Sequence, residues 1–341
     1  MRAAVIDRHG PPQSITLREL PVPAPGPDDV LVRVAFGSVN HVDTFVRSGA
    51  WRTPLAFPFV VGRDAVGTVV DVGDAAAGAF AVGDEVWTSS LGYDGRDGAL
   101  AELVRVPRAR LYRCPTNLPA SEVVALAHPA TTAWLALFRH GHLRAGMRVL
   151  VVGGGGNVGW SAVHLAVAAG AVVVTTCGRD DAFDLDRAGA RPVDRSVRLD
   201  RAALGGPVDL VVDTAGRNDV EAYLDVLTPG GRVVLLAGMT TRATFPVGAL
   251  YLNAATVTGF AISQASVEDL ATAARHVVDA VERTGLRPRR LSSVPLEHVA
   301  DAHARLERGE VRGKVVVAVG AHHPPAAPGA APPEGARALP T

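Results

Sequence analysis

The sequence predicts an α/β protein in which a doubly wound parallel sheet is joined to a β-rich domain of irregular topology. Three observations point to this. Strand-like and helical runs alternate from about 116 to 260, the pattern of a parallel sheet covered on both faces. A four-glycine turn, 153–156, lies between an apolar run and an amphipathic one. The first 115 residues instead hold short alternating stretches rich in Val, Gly and Pro.

Taken in order, LVRVAFG (31–37), AVGTVVDVG (65–73) and AELVRVP (101–107) read as strands. PVPAPGPDD (21–29) is a loop, because its prolines cannot sustain a ladder. VLVVG (149–153) is a strand, followed by a helix over 157–169 with Val158, Ala162, Leu165 and Ala169 on one stripe. AVVVTT (171–176), VDLVVDT (208–214), GRVVLLAG (231–238) and ATVTGF (255–260) continue the strands, with a helix near 218–227. Two amphipathic helices follow, one with Leu270, Ala274, Val277 and Val281 in register, the other with Leu296, Val299, His303 and Leu306. KVVVAV (314–319) closes as a strand. The tail, 321–341, is too rich in Pro, Ala and Gly to pack and is expected to be disordered.

The length of 341 residues suits two domains. Thirty-four basic residues balance 34 acidic ones, so nothing electrostatic argues for a nucleic-acid or anionic-membrane partner. Lys314 is the single lysine; every other basic residue is arginine, as codon bias would give. Two cysteines, Cys114 and Cys177, can build neither a disulfide scaffold nor a four-thiolate zinc site. Neither has a visible activating partner, so neither reads as a nucleophile. A reducing compartment fits. The opening MRAAVIDRHG has no apolar core of signal-peptide length, and no apolar run reaches 18 residues. The expectation is a soluble, cytoplasmic protein.

Gly154, Gly156 and Gly159 fit G-x-G-x-x-G, with a strand ending at Val152 and a helix opening near Asn157. Glycines admit a pyrophosphate to the backbone, and the helix start supplies free N–H groups. The motif therefore predicts a bound dinucleotide. The next strand ends Thr175, Thr176, Cys177, Gly178, Arg179, with no acid at its tip to hold a ribose 2′-hydroxyl. Arg179 can face a 2′-phosphate, which favours NADPH over NADH. The alternative is a surface arginine paired with Asp180 or Asp181.

These segments together resemble the medium-chain dehydrogenase/reductase superfamily, in its zinc-free quinone oxidoreductase and enoyl reductase branch. The resemblance spans residues 1–320. It rests on MRAAVIDRHGPP, PVPAPGPDDVLVRV, SVNHVDTFVRSG (38–49), GRDAVGTVVDVG (62–73), GGGGNVG (153–159), PVDLVVDTAG (207–216), LTPGGRVVLLAG (227–238) and RGKVVV (312–317). It implies a GroES-like catalytic domain split between 1–115 and 261–320, a Rossmann domain over 116–260, a cleft between them and a homodimer. It also implies cofactor contacts from Thr132, Gly154, Gly156, Asn157, Val158, Gly159, Thr176, Gly178, Arg179, Ala237 and Lys314. Zinc-dependent relatives carry a cysteine where this chain has Asn40, a histidine and an acid where it has Arg63 and Asp64, and a further cysteine or acid near His128. Arginine cannot ligate zinc and His128 is one ligand where about three are needed, so a zinc-free site is expected. TSSLGYDGRDGALAEL (88–103) likewise lacks the four cysteines of a structural-zinc lobe.

The branch moves hydride from NADPH to a quinone or an activated C=C, as the resemblance implies. Charge then develops on an oxygen that donors can stabilise, and a proton must follow. Asn40 is a candidate donor, or else a loop asparagine bonding its own backbone. His41 is a candidate acid, a pyrophosphate contact or a rim residue. Asp43 is expected to orient its neighbours. Phe45 stands where many of these reductases carry tyrosine; it can stack on a flat acceptor but has no proton to give. Arg63 and Asp64 form a salt bridge lining the cleft, or Arg63 holds an anionic group. His128 and Thr132 are expected near the nicotinamide, and Trp134 in the core. The leading expectation is an NADPH-dependent, zinc-independent reductase of a small molecule. Two alternatives stand beside it: a dedicated enoyl or ketone reductase of a biosynthetic pathway, and a non-catalytic NADPH-binding protein.

Overall fold

The computed structural model describes residues 1–320, so the expectation for the 321–341 tail lies outside the described residues. The chain opens on β1 (Arg2–Ile6), β2 (Thr16–Glu19), β3 (Asp29–Val39), α1 (His41–Ser48), β4 (Phe59–Val60), β5 (Asp64–Val72), β6 (Glu85–Thr88), β7 (Leu103–Pro107) and β8 (Tyr112–Arg113). β1 pairs with β2 and β4 in a small antiparallel sheet. The 21–26 segment joining β2 to β3 stays outside any strand, as its prolines require.

A helix the periodicity does not reveal comes next, α2 (Ala120–Trp134), extended by a π-helical turn through His140. The alternating stretch follows as β9 (Arg148–Val152), α3 (Asn157–Ala168), β10 (Val172–Cys177), α4 (Arg179–Arg187), β11 (Arg191–Asp194), α5 (Arg201–Leu204), β12 (Val208–Asp213), α6 (Val220–Val226), β13 (Leu227–Leu235), α7 (Val247–Leu252) and β14 (Thr256–Gly259). Its six strands are parallel, in the order β11-β10-β9-β12-β13-β14. The order reverses between β9 and β12, the switch point where doubly wound sheets bind ligands.

The chain then adds α8 (Val267–Thr284), β15 (Leu291–Pro295), α9 (Val299–Glu307) and β16 (Lys314–Ala318). β16 lies antiparallel to β3 and completes the larger sheet of the first lobe, with Val315 opposite Val39. This return of the chain puts Lys314 beside Asn40. α8 carries Ala274, Val277 and Val281 into a core shared with β9, β12, α2 and α3. That core also takes in Val66, Trp87 and Val316 from the first lobe, so apolar packing runs through the junction of the two lobes. A fully buried side chain of this size contributes roughly 1.5–3 kcal/mol. The cleft is therefore set between rigidly packed elements.

Candidate active site

A cleft of about 1140 Å³ runs from the glycine turn to the junction of the lobes. At one end lies the turn after β9. A Cβ on Gly154 would meet Thr175 Oγ1 at 2.2 Å, and one on Gly159 would meet the Gly153 carbonyl at 2.1 Å. Gly156 precedes α3 with no side-chain cap, so the first N–H groups of that helix are free to meet an anion. Gly156, Asn157 and Val158 line the cleft, as do Gly178, Arg179 and Ala237. Thr176 does not: it is buried, and its hydroxyl accepts from the Gly153 N–H at 3.0 Å, bracing the turn from behind. Asp213, at the tip of β12, holds the neighbouring loop. Its carboxylate accepts from the N–H groups of Ala215, Gly216 and Asn218 and from the Tyr223 hydroxyl.

The far rim of this end is basic. Arg179, Arg195, Arg289, Arg290 and Arg312 all border it. Asp181 pairs with Arg289, and Asp180 with Arg312 at 3.2 Å. Arg179 pairs with neither acid; its side chain is 95% exposed and its nearest carboxylate, Asp194, is 3.9 Å away. The pairing with Asp180 or Asp181 is therefore not formed; Arg179 is a surface arginine in a long ion pair with Asp194 at the rim of the cleft. Arg289, Arg290 and Arg312 went unnoticed in the sequence, although the run RPRR (287–290) was a visible signal.

At the other end, α1 starts at the cleft floor. Asn40 caps it with both amide hydrogens turned inward, Nδ2 donating to Asp43 Oδ2 at 3.1 Å and to Asp64 Oδ2 at 2.7 Å. Its Oδ1 accepts from Lys314 Nζ. With both hydrogens committed, Asn40 is a structural node, and the expected donation to a substrate oxygen would require breaking one of these bonds. The Lys314 ammonium likewise turns to Asn40 and to the Val39 carbonyl at 3.2 Å, although the residue borders the cleft.

Arg63 does not pair with Asp64, as the sequence suggested. Its Nε donates to Asp43 Oδ1 at 3.2 Å and its Nη1 to Ser263 Oγ at 2.6 Å. Asp64 is fully buried, accepts from Ser38 Oγ and Asn40, and keeps one oxygen unpaired. Burial is the main reason its carboxyl is pushed up to about 6, against the opposing charge of Lys314. Asp43 and Arg63 are buried below the floor and are not among the groups that border the cleft.

The groups facing the open space are His41, Phe45, Trp51, His128 and Thr132. His41 is exposed within the cleft, and desolvation by its walls, then the Lys314 charge, holds its imidazole below 6.5. His128 is lowered further, first by burial and then by Arg63, Lys314 and His41. His128 Nδ1 and Thr132 Oγ1 have no hydrogen-bond partner among the described residues. One turn apart on α2, both residues border the cleft, but these two atoms are themselves buried and shielded from it. Trp51, missed in the sequence, packs its ring 5.3 Å from that of Tyr93, donates its backbone N–H to the Phe45 carbonyl at 3.1 Å and adds a second aromatic residue to the cleft wall. Trp134 faces away, stacked on His276 at 5.2 Å.

Comparison with known proteins agrees with this geometry. Residues 26–116 match the alcohol dehydrogenase GroES-like domain family, and 188–317 the zinc-binding dehydrogenase family. Human quinone oxidoreductase is 28% identical, the match covering 93% of this chain and 97% of that one. An acryloyl-coenzyme A reductase of Sulfurisphaera tokodaii is 26% identical, with 93% and 99% covered. A solved structure of an NAD-dependent alcohol dehydrogenase is 32% identical, with a TM-score of 0.82 and 94% and 100% covered. The second family's description names zinc, but the donor set here does not fit that ion. Arg63 is permanently charged and Asn40 is bound to Lys314. Among the described residues no three His, Cys, Asp or Glu side chains gather as ligands. With two family models on its two lobes, and a relative 32% identical over nearly its full length, the chain belongs to the medium-chain dehydrogenase/reductase superfamily and is an oxidoreductase.

Proposed function

We propose that this oxidoreductase uses NADPH, without zinc, to reduce a quinone or an α,β-unsaturated carbonyl compound. The observation that carries the reading is the cleft itself: a glycine-lined phosphate cradle opens directly onto a floor of His41, Phe45, Trp51, His128 and Thr132. Bound NADPH supplies the hydride. The cradle fits it, because the uncapped start of α3 and the open space beside Gly156 both face the cleft. Arg179, at the rim of the cleft, 95% exposed and held only by a long ion pair to Asp194, supports a 2′-phosphate.

The remaining work falls to the chain. Phe45 and Trp51 present apolar faces that suit a flat acceptor and keep water from the hydride path. His128 and Thr132 border the floor and shape the space into which the carbonyl or amide groups are delivered. His41 provides the proton that follows the hydride, in the role a tyrosine at position 45 would otherwise fill. Its imidazolium form persists only below its lowered value, so turnover falls as pH rises through that value. Two copies pair along the outer edge of the parallel sheet, a reading supported by the exposed Val247, Tyr251 and Leu252 beside β14.

The test is NADPH and NADH oxidation followed with quinones, enones and enoyl thioesters. Turnover faster with NADPH is expected, and His41→Gln should lower kcat by about a hundredfold and flatten the pH dependence. Tight NADPH binding without turnover of any acceptor would make the protein a non-catalytic binder instead.

A further inference from the structure

Arginine fills every basic position of this chain except 314. The exception lies at the most enclosed cationic position of the cleft floor. Lys314 is 3% exposed, and three oxygens surround its ammonium: Asn40 Oδ1, the Val39 carbonyl at 3.2 Å and Asp64 Oδ2 at 3.9 Å. Two of the three N–H donors of the ammonium are hydrogen-bonded, and the Asp64 carboxylate, beyond hydrogen-bond reach at 3.9 Å, adds its opposing charge. A guanidinium brings five donors in a rigid plane. Arg63, already buried beside this group, leaves its Nη2 without a partner. A second guanidinium here would strand more donors.

What the ammonium holds is the Asn40 amide. With Oδ1 on Lys314, the NH2 end must face Asp43 and Asp64, and the reverse orientation would set it against a cation. Asn40 also fixes the first turn of α1, its N–H donating to Asp43 Oδ2 at 2.7 Å. His41 is the next residue. On the other side of Lys314, the Gly313 carbonyl accepts from Asn157 Nδ2 at 3.0 Å, at the opening of α3. The Lys314 N–H is held by the Arg290 carbonyl at 2.9 Å. One short segment therefore touches the head of the cofactor helix and the head of the helix bearing His41.

We propose that Lys314 is a positioning residue: it locks Asn40 so that His41 faces the cleft, and it ties that turn to the glycine cradle through Gly313 and Asn157. The charged and titratable groups facing His41 are Lys314 from β16, Asp43 from α1 and His128 from α2. The turnover arm of the test rests on the NADPH-reductase reading; the spectroscopic arm does not need turnover.

Because the chain has one lysine, selective ¹⁵Nζ-lysine labelling of the wild-type protein marks this side chain alone. A single, slowly exchanging Nζ resonance at neutral pH is expected, moving when NADPH saturates the protein. A fast-exchanging resonance typical of a free lysine, or one that ignores NADPH whose binding fluorescence confirms, overturns the proposal. Absence of NADPH binding by fluorescence would instead refute the cofactor reading, leaving the slow exchange to decide whether the ammonium is locked. In turnover, Lys314→Arg and Lys314→Met should each lower kcat at least about tenfold with little change in the acceptor's KM. Lys314→Met, which removes the charge, should also shift the pH profile upward, and Lys314→Arg should leave it in place. Wild-type kcat in Lys314→Arg, or identical pH profiles in both variants, would reduce Lys314 to packing.

Discussion

His303 is fully buried on α9, and neither ring nitrogen has a hydrogen-bond partner among the described residues. Burial brings its imidazole down to about 4, with Asp43 opposing and Arg47 adding to the effect. In the unfolded chain it titrates near 6.5. Between these values the unfolded chain binds a proton that the folded protein does not. The neutral ring's contribution is therefore complete above 6.5 and is lost as pH falls toward 4, by roughly 3 kcal/mol. His303→Leu keeps much of the volume and has nothing to protonate. Urea unfolding at neutral pH and near pH 4.5 should show a smaller acid loss in the variant than in the wild type; equal losses would reject the assignment. Sequence periodicity did place His303 on the buried stripe with Leu296 and Val299, because that face repeats every turn. Asn40 marks the limit of such reading. Its position was recognisable, but the orientation of its amide is set by Lys314, 274 residues away in the chain, and no local pattern encodes that contact.

The turn between β9 and α3 uses its glycines for two different reasons. At Gly159 a Cβ would lie 2.1 Å from the Gly153 carbonyl and 2.9 Å from Gly154 Cα, so only a backbone shift could admit it. At Gly156 the nearest protein atom is 3.4 Å away, and the space beyond belongs to the cleft. Gly159→Ala should destabilise the fold by about 1–3 kcal/mol and weaken NADPH as well. Gly156→Ala should melt like the wild type yet lose NADPH affinity at least about tenfold. Thermal melts with and without NADPH separate the two; wild-type affinity in Gly156→Ala would show that no phosphate approaches there. This strand–turn–helix unit was legible because its signals are local. α2 was not, although it carries His128 and Thr132. It is buried on nearly every side, so its apolar residues show no stripe, and Pro129 within it reads as a breaker.

At the scale of the whole molecule, the alternation of strands and helices foretold the parallel sheet, and the final strand KVVVAV became β16. Where β16 would pair was not legible, since its antiparallel partner β3 ends at Val39, far back in the chain. That pairing completes the larger sheet of the first lobe and closes the cleft floor, while the shared apolar core joins the two lobes. The opposite end of the architecture is open. β14 is an edge strand of the six-stranded sheet, and α7 beside it exposes Val247, Tyr251 and Leu252 at 65%, 68% and 76%. An unpaired edge flanked by apolar side chains associates unless something covers it. A second copy can do so with two-fold symmetry, the same edge meeting itself and the same side chains packing across the axis. The edge lies away from the cleft floor, so interrupting the pairing should leave His41 and Lys314 undisturbed. Tyr251→Asp with Leu252→Asp places two carboxylates on each side of the axis, where like charges repel. Light scattering should give two chains for the wild type and one for the double variant, with the ¹⁵Nζ resonance of Lys314 unchanged. A monomeric wild type would refute the pairing, and a double variant that still pairs would place the contact elsewhere.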